Sequence, residues 1–465
     1  MLTPERKALS INLDSTIYGS FAEIGGGQEV ARYFFQAGGA SGTIAKTISA
    51  YDMIYSNSIY GKSESGRYVS KDRLDKMLSI EFDNIYNLLG EKRGQGTRFF
   101  AFANTVATLN YQKDNESHGW IGIKFQIYPN SKSNEVLTHV RLLENDYVLQ
   151  QKTLGIFGVN LIYACYNYYK TPGQFLVSLM DSLSNQRIEI NMVEMKGTEL
   201  NDVDNRLLSV QLVKNNMTHA TMFDRYGNVQ QPSDMLYKKN VIVLRGVFRP
   251  ITYTGFDMLK TSYGLFKKDE SYEKGNTLTF CEIALNSLPD TEIFEERDFL
   301  ERVDILNNMG QNVMVSSFRE FYRLVEHLSH YNITNLRIIM GVMTFLKVMD
   351  KNYYVHLKGG ILEAFGKLFP GNMKLYLYPT IEKEKGTLLN SRNIIVPEDI
   401  KYLYKHLLYN RKILDIQNAN IKKLHVQSDE IRKMICGNND GWEEMVPKFV
   451  SKFIKSKKLF QYKCK

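Results

Sequence analysis

The 465-residue chain is long enough for two or three domains, each with its own core. Its hydrophobic content of 43% and charged content of 23% are those of an ordinary globular protein, and no run of about 18 apolar residues offers a membrane span. Net charge is +9, but residues 401–465 carry 15 Lys/Arg against 6 Asp/Glu, so a nucleic-acid or acidic partner is expected only of that segment.

The amino terminus, Met1-Leu2-Thr3-Pro4-Glu5-Arg6-Lys7, lacks the apolar region of a signal peptide. Cys165, Cys281, Cys436 and Cys464 show no CxxC spacing, which argues against a disulfide framework or a zinc site and fits a reducing cytoplasm.

Gly19 to Ile24 is extended in pattern, and Gly25-Gly26-Gly27 interrupts it before a helix over Gln28 to Ala37. A strand, a glycine turn and a helix N-terminus together aim free amides at one point, which suits an anion. The dinucleotide fingerprint G-x-G-x-x-G is not met, because no third glycine opens the helix. A second cluster, Gly38-Gly39-Ala40-Ser41-Gly42-Thr43-Ile44-Ala45-Lys46-Thr47, is a poor phosphate-binding loop, with alanines at 40 and 45 where glycines belong. The plainer reading of both clusters is a pair of turns joining packed helices.

Ser70 caps a helix whose buried stripe is Leu74, Met77, Leu78, Phe82, Ile85 and Leu88-Leu89. Phe99–Val106, Trp120–Tyr128 and Val136–Leu143 read as strands, and residues 147–185 as two helices divided at Thr171-Pro172-Gly173. From Arg187 strands and helices alternate. The strands are Ile188–Met195, Thr218–Phe223, Val241–Leu244, Val313–Val315, Leu336–Val342 and Lys374–Tyr378. The helices are Asp204–Val213, Ser233–Lys238, Glu292–Asn307, Phe318–Tyr331 and Ile361–Phe369. Such alternation implies parallel pairing in a doubly wound sheet, whose ligands sit at the strands' carboxyl ends. That directs attention to Arg245-Gly246, Ser316-Ser317 and Gly341. From Asn390 onward the chain reads as helical and basic, and Val446–Phe460 as an amphipathic helix, more simply a docking terminal helix than a membrane-surface one.

Other candidates weigh less. His118 with Glu116 has the groups for acid–base chemistry, against a turn before a strand. His327 and His330 have a ligand-like spacing, but no carboxylate or cysteine cluster lies near them, and a polar helix face explains them better. Asp204 is placed to cap a helix, and Gly359-Gly360 to form either a permissive turn or an anion pocket.

Arg245-Gly246-Val247-Phe248-Arg249-Pro250-Ile251-Thr252-Tyr253-Thr254-Gly255-Phe256 resembles the G-x-F-x-P-x-H-x-G-H loop of nucleotidyltransferases that build dinucleotides from ATP. Gly246, Phe248, Pro250 and Gly255 match; Thr252 and Phe256 replace the two histidines, which removes the donors that hold charge on a transferred phosphoryl group. More broadly, KALSINLD, FAEIGGGQEVARYFFQAGGASGTIAKTISAYDM, DNRLLSVQLV, LYKKNVIVLRGVFRP and KGGILEAFGKLF resemble a bacterial family of about this length, nearly end to end as far as Pro379. That resemblance implies no catalytic residues. The family's labels, nicotinate-nucleotide adenylyltransferase and TonB-dependent receptor, conflict with the missing histidines and with the lack of a signal peptide or a β-barrel pattern.

The expectation is therefore a cytoplasmic α/β protein. A glycine-rich α+β unit would span residues 1–185, a Rossmann-like doubly wound sheet 186–395, and a basic helical tail 396–465. It would bind a nucleotide or other phosphorylated small molecule through Gly25, Gly26, Gly27, Gln28, Lys46 and Thr47, completed by Arg245, Gly246 and Arg249. No catalytic residue is assigned and no metal is expected. The rival expectations are a structural or protein-interaction protein, including a homo-oligomer assembled through the tail, and a nucleotidyltransferase lacking its loop histidines.

Overall fold

The computed structural model describes residues 2–63, 66–285, 296–382, 385–423, 426 and 428–462. The chain divides into two compact units, Met1–His219 and Ala220–Lys465.

The first unit contains, in order, α1 (Pro4–Asn12), β1 (Ile17–Gly25), α2 (Glu29–Ala37), β2 (Ile44–Ser49), α3 (Met53–Tyr60), α4 (Lys71–Arg93), β3 (Arg98–Ala107), β4 (His118–Gln126) and β5 (Ser133–Leu142). It closes with α5 (Tyr147–Asn167), α6 (Pro172–Leu179), β6 (Ile188–Lys196) and α7 (Asn205–Lys214). Its sheet runs β2-β1-β3-β4-β5-β6, parallel through β2, β1 and β3 and antiparallel from β3 onward. Strand β3 shows why the sheet is covered twice. Phe100 and Phe102 enter the core shared with Phe34 of α2 and Phe157 of α5, whereas Phe99 and Ala101 meet Phe82 and Ile85 of α4. The period of two sends successive side chains to opposite faces. Ser70 caps α4 by accepting from the Arg73 amide, as its sequence position implies.

Strand β6 belongs to this unit, because it pairs antiparallel with β5 across the helical excursion of α5 and α6. The division accordingly falls after His219 rather than at residue 185. Strand pairing is nonlocal, and nothing in the pattern of residues 188–196 announces which sheet receives it.

The second unit opens with β7 (Ala220–Phe223), β8 (Val229–Gln230), α8 (Pro232–Leu236), β9 (Asn240–Arg245), α9 (Tyr253–Phe266) and β10 (Thr277–Ala284). It continues with α10 (Glu296–Asn308), β11 (Asn312–Ser316), α11 (Phe321–Ser329), β12 (Asn335–Gly341), α12 (Val342–Val348), α13 (Gly360–Leu368) and β13 (Met373–Tyr378). Then come β14 (Thr380–Ile381), β15 (Leu388–Leu389), α14 (Lys401–Tyr409), β16 (Ile413–Asp415), α15 (Ser428–Cys436) and α16 (Lys448–Lys457). Residues 292–295 of the expected helix over Glu292–Asn307 lie outside the described residues. The sheet order is β16-β13-β12-β9-β10-β11-β7-β8, with β9 to β13 and β16 parallel and β7 antiparallel to β11. From β9 the chain lays strands outward to one side as β10 and β11, then returns to lay β12, β13 and β16 on the other. This is the 3-2-1-4-5-6 order of the Rossmann fold, and its direction reverses between β9 and β12.

The basic segment from 396 onward is not a separate tail. Its strand β16 extends the sheet beside β13, and Val450 and Ile454 of α16 are fully buried. Amphipathic helices dock when an apolar face is on offer. Strand β10 and helix α9, absent from the sequence reading, are the central crossover of the sheet. Among the described residues no helix is long and apolar enough to cross a membrane.

One buried cluster anchors the helical layer of the first unit. Lys7 of α1 is 1% exposed, and its Nζ reaches Asp181 at 2.7 Å, Asn160 Oδ1 of α5 at 2.9 Å and the Ser178 carbonyl of α6 at 3.0 Å. Burial lowers its pKa, opposed by the bond and charge of Asp181. Lys7→Met keeps the aliphatic stem but leaves the Asp181 carboxylate, which is 13% exposed, without its cation. It is expected to cost about 3 kcal/mol, read as a lower urea midpoint at unchanged slope, and Lys7→Met with Asp181→Leu to recover part of the loss.

Candidate functional site

The carboxyl ends of β9 and β12 face a cavity of about 380 Å³. The loop between β9 and α9 supplies Gly246, Phe248 and Thr252, the first turn of α9 adds Thr254, β12 ends in it at Gly341, and Thr344 of α12 closes it. Two of the three strand ends singled out from the pattern, Arg245-Gly246 and Gly341, thus share one crevice. The third, Ser316, is fully buried and donates from Oγ to Glu282 Oε1 at 2.6 Å.

Both arginines of the loop are committed to carboxylates. Arg245 donates from Nε and Nη2 to the two oxygens of Glu282 at 2.9 and 2.8 Å, and from Nη1 to the Arg319 carbonyl at 3.0 Å. Its guanidinium lies 4.3 Å from the ring centre of Phe321. Glu282 on β10 is fully buried, and its carbonyl accepts from the Gly246 amide at 3.0 Å. This bidentate pair therefore joins β9 to β10, and Ser316 adds β11. Arg249 donates from Nε to Asp298 of α10 at 2.8 Å, and Arg302 shares the same carboxylate.

Two residues take the places where the resembled loop carries histidines. Thr252 caps α9, its hydroxyl accepting from the Gly255 amide at 3.1 Å. Phe256 packs edge-on against Phe449 of α16, ring centres 6.3 Å apart. Neither presents a cation or a titrating group to the crevice.

The first glycine cluster has a different environment. Gly25 ends β1 at φ +84°, and a Cβ on Gly27 would lie 2.0 Å from Asn104 Oδ1, so glycine is required for the turn to close over β3. The amino end of α2 is already met from within, because the Ala31 amide bonds the carboxyl of Glu23, a β1 residue that is 2% exposed. The Gln28 side chain donates to the Gly25 carbonyl. Lys46 and Thr47 lie on edge strand β2 rather than at a helix N-terminus. Lys46 stands opposite Ser20, five residues and roughly 16 Å back along β1 from Gly25, and its Nζ pairs with Glu81 of α4 at 2.7 Å. The structure therefore does not bring Lys46 and Thr47 to the triple glycine, and Arg245, Gly246 and Arg249 belong to the other unit.

The remaining candidates resolve locally. The amide of Gly359, ahead of α13, is met by Glu363 Oε2 at 3.0 Å, so that turn answers its own helix end. His330 bonds the Glu326 carbonyl one turn back, whereas His327 packs against Phe318 and Tyr331. Among the described residues no group of three or more His, Cys, Asp or Glu is placed to hold a metal. The ring of His118 meets His139 on β5 at 3.0 Å, and His139 Nδ1 donates to Asn191 Oδ1 on β6 at 2.6 Å. Burial, reinforced by the neighbouring His118, pushes the His139 pKa down to about 3, so the His139 ring stays neutral in the sheet. Cross-strand partners of this kind carry no sequence signal.

The fold thus defines a mixed α/β protein whose second unit has Rossmann strand order and a crevice at the point of reversal. No protein-family model matches the chain, and no curated protein matches it. Among solved structures it is similar to the competence/damage-inducible protein CihA from Agrobacterium tumefaciens, at 16% identity over 38% of this chain and 98% of that one, TM-score 0.24. It is also similar to CinA-superfamily proteins from Enterobacter cloacae (12% identity, 36% and 94% of the two chains, TM-score 0.26) and Escherichia coli (14%, 38% and 90%, TM-score 0.24). Likenesses this remote carry no argument about function.

The Glu23 carboxyl makes the site testable. Burial, the largest influence, raises its pKa to about 8, with Glu29 adding to the rise and the Ala31 amide opposing it. The folded protein then holds a proton that the unfolded chain releases above its ordinary value, so stability falls as pH rises from about 4.5 to about 8. Glu23→Gln is expected to flatten that fall by up to about 1.4 kcal/mol per pH unit, checked by urea unfolding across the window.

Proposed function

We propose that the chain binds a nucleotide, or a similarly built phosphorylated small molecule, in the crevice between β9 and β12. The observation that carries this reading is the coincidence of three features at one place: the reversal of strand order, a cavity of about 380 Å³, and the loop 246–252 leading into α9. Ligands of doubly wound sheets lie outside the carboxyl ends of the strands at such a reversal, in cavities of a few hundred Å³. Phe248, Phe321 and Met258 offer an apolar wall for a ring, and Thr254 and Thr344 offer hydroxyls for a sugar or phosphate. The macrodipole of the 14-residue α9 favours the anionic end. A cytoplasmic setting belongs to the same reading.

Binding is favoured over turnover. Thr252 is engaged in the cap and Phe256 in packing, so the crevice lacks the donors that would stabilise a transferring phosphoryl group. The carboxylate pairing of both loop arginines favours a second reading, a non-enzymatic interaction protein in which the crevice is structural.

Gly341→Phe tests the first reading. Gly341 has φ −75° and ψ 153°, which any residue adopts, and a Cβ there meets nothing within 4 Å. The substitution fills the crevice without straining the backbone. ATP, ADP, AMP and GTP are screened by thermal shift and titration calorimetry. At least one is expected to stabilise the wild-type protein by about 2.7 kcal/mol at a hundred times its Kd, and Gly341→Phe to abolish that response. No response to any of the four, or an equal response in the variant, removes the crevice from consideration.

A further inference from the structure

A second and larger cavity, about 880 Å³, lies along the outer strand of the second unit's sheet. Every residue from Ile413 to Ala419 lines it. A pocket on one face of a strand meets alternate residues, so a lining that takes in all three residues of β16, Ile413 to Asp415, and continues into the segment after it places the cavity at the strand's edge. Strand β16 ends the sheet order, and among the described residues no strand pairs with its other side. Toward β13, the Lys412 carbonyl accepts from Leu375 and the Ile416 amide donates to Leu377, each at 2.8 Å. The strand period then turns the backbone groups of Ile413 and Asp415 away from β13, toward the cavity.

The charge of the groove is as distinctive as its shape. Arg392, after β15, and Arg411, in the turn that follows α14, are both exposed and line the groove. Among the described residues neither guanidinium has a carboxylate partner, whereas Arg245, Arg249 and Arg337 each have one. The carboxylate in the lining, Asp415, accepts from the Ser391 amide at 2.9 Å and from its hydroxyl at 2.6 Å, so it does not answer either arginine. Leu388, Leu408 and Ile421 complete the lining with apolar surface.

We propose that this groove receives an acidic peptide segment in extended conformation, added beside β16 as a further strand. Main-chain pairing with an exposed edge gives affinity, and side chains alternating along the guest give specificity. Acidic residues on one side of the guest would meet Arg392 and Arg411, and apolar residues on the other would meet Leu388, Leu408 and Ile421. This site is separate from the crevice at β9 and β12.

Fluorescence polarisation with the full chain tests it, using a labelled peptide of alternating glutamate and valine. Saturable binding is expected, weakened about tenfold by Arg392→Glu or Arg411→Glu and restored in the double variant by a lysine–valine peptide. A peptide methylated on every second amide nitrogen is expected to lose about tenfold against the wild-type protein, which reads main-chain pairing without any protein variant. Gly341→Phe is expected to leave peptide binding unchanged. The proposal is overturned if the acidic peptide does not bind, if folded charge-reversal variants bind it equally, or if amide methylation has no effect. Competition by inorganic pyrophosphate together with full binding of the methylated peptide would identify a small-anion pocket instead, and likewise overturns it.

Discussion

A buried carboxylate must find its counterpart inside the protein, and this constraint organises both units. Leaving such a group unpaired costs several kcal/mol, so each one fixes the elements around it. Glu282 is the central case. It lies within β10, holds the Arg245 guanidinium of β9 with both oxygens and accepts from Ser316 of β11. Three adjacent strands are thereby locked at their carboxyl ends, where the crevice opens. Asp298 does the same for Arg249 and Arg302. Glu23 answers the constraint another way: its carboxyl keeps its proton and accepts the Ala31 amide.

The consequence for function is that much of the positive potential legible in the chain is answered from within. An arginine in a strand-to-helix loop, or a helix N-terminus behind glycines, attracts an anion in principle. In this protein the anion at several such places is a side chain of the protein itself. The crevice at the strand reversal is consequently lined by hydroxyls, main chain and apolar rings, and Arg245 in its lining is held by Glu282. The groove along β16 has the opposite character, with arginines that no carboxylate claims among the described residues. The two cavities therefore suit different guests, even though one sheet builds both.

Position in the sheet accounts for that contrast. Strands β9 and β12 are central, covered on both faces and paired on both edges, so a guest there meets side chains and strand ends. Strand β16 is terminal, and among the described residues no strand pairs with its outer edge. The same segment that reads as a basic tail by composition becomes sheet because β13 offers it an edge with matching register, Leu375 to Ile413 through Leu377 to Asp415.

Most elements, their caps and the doubly wound character of the second half are determined by the sequence alone. The signals are local: the stripe of α4 behind Ser70, the Asp204 cap of α7, and the strand-helix rhythm from β9 to β13. The tertiary structure alone decided that β6 joins the first sheet, that the carboxyl-terminal segment supplies β16, and that Lys46 lies far along the strand from the triple glycine. It also decided the electrostatics, since Arg245 meets Glu282 from 37 positions away and Arg249 meets Asp298 from 49. Periodicity and capping act within a few residues and leave a mark in order and composition. Strand pairing and charge cancellation join residues that only the folded chain makes neighbours, so no local pattern records them.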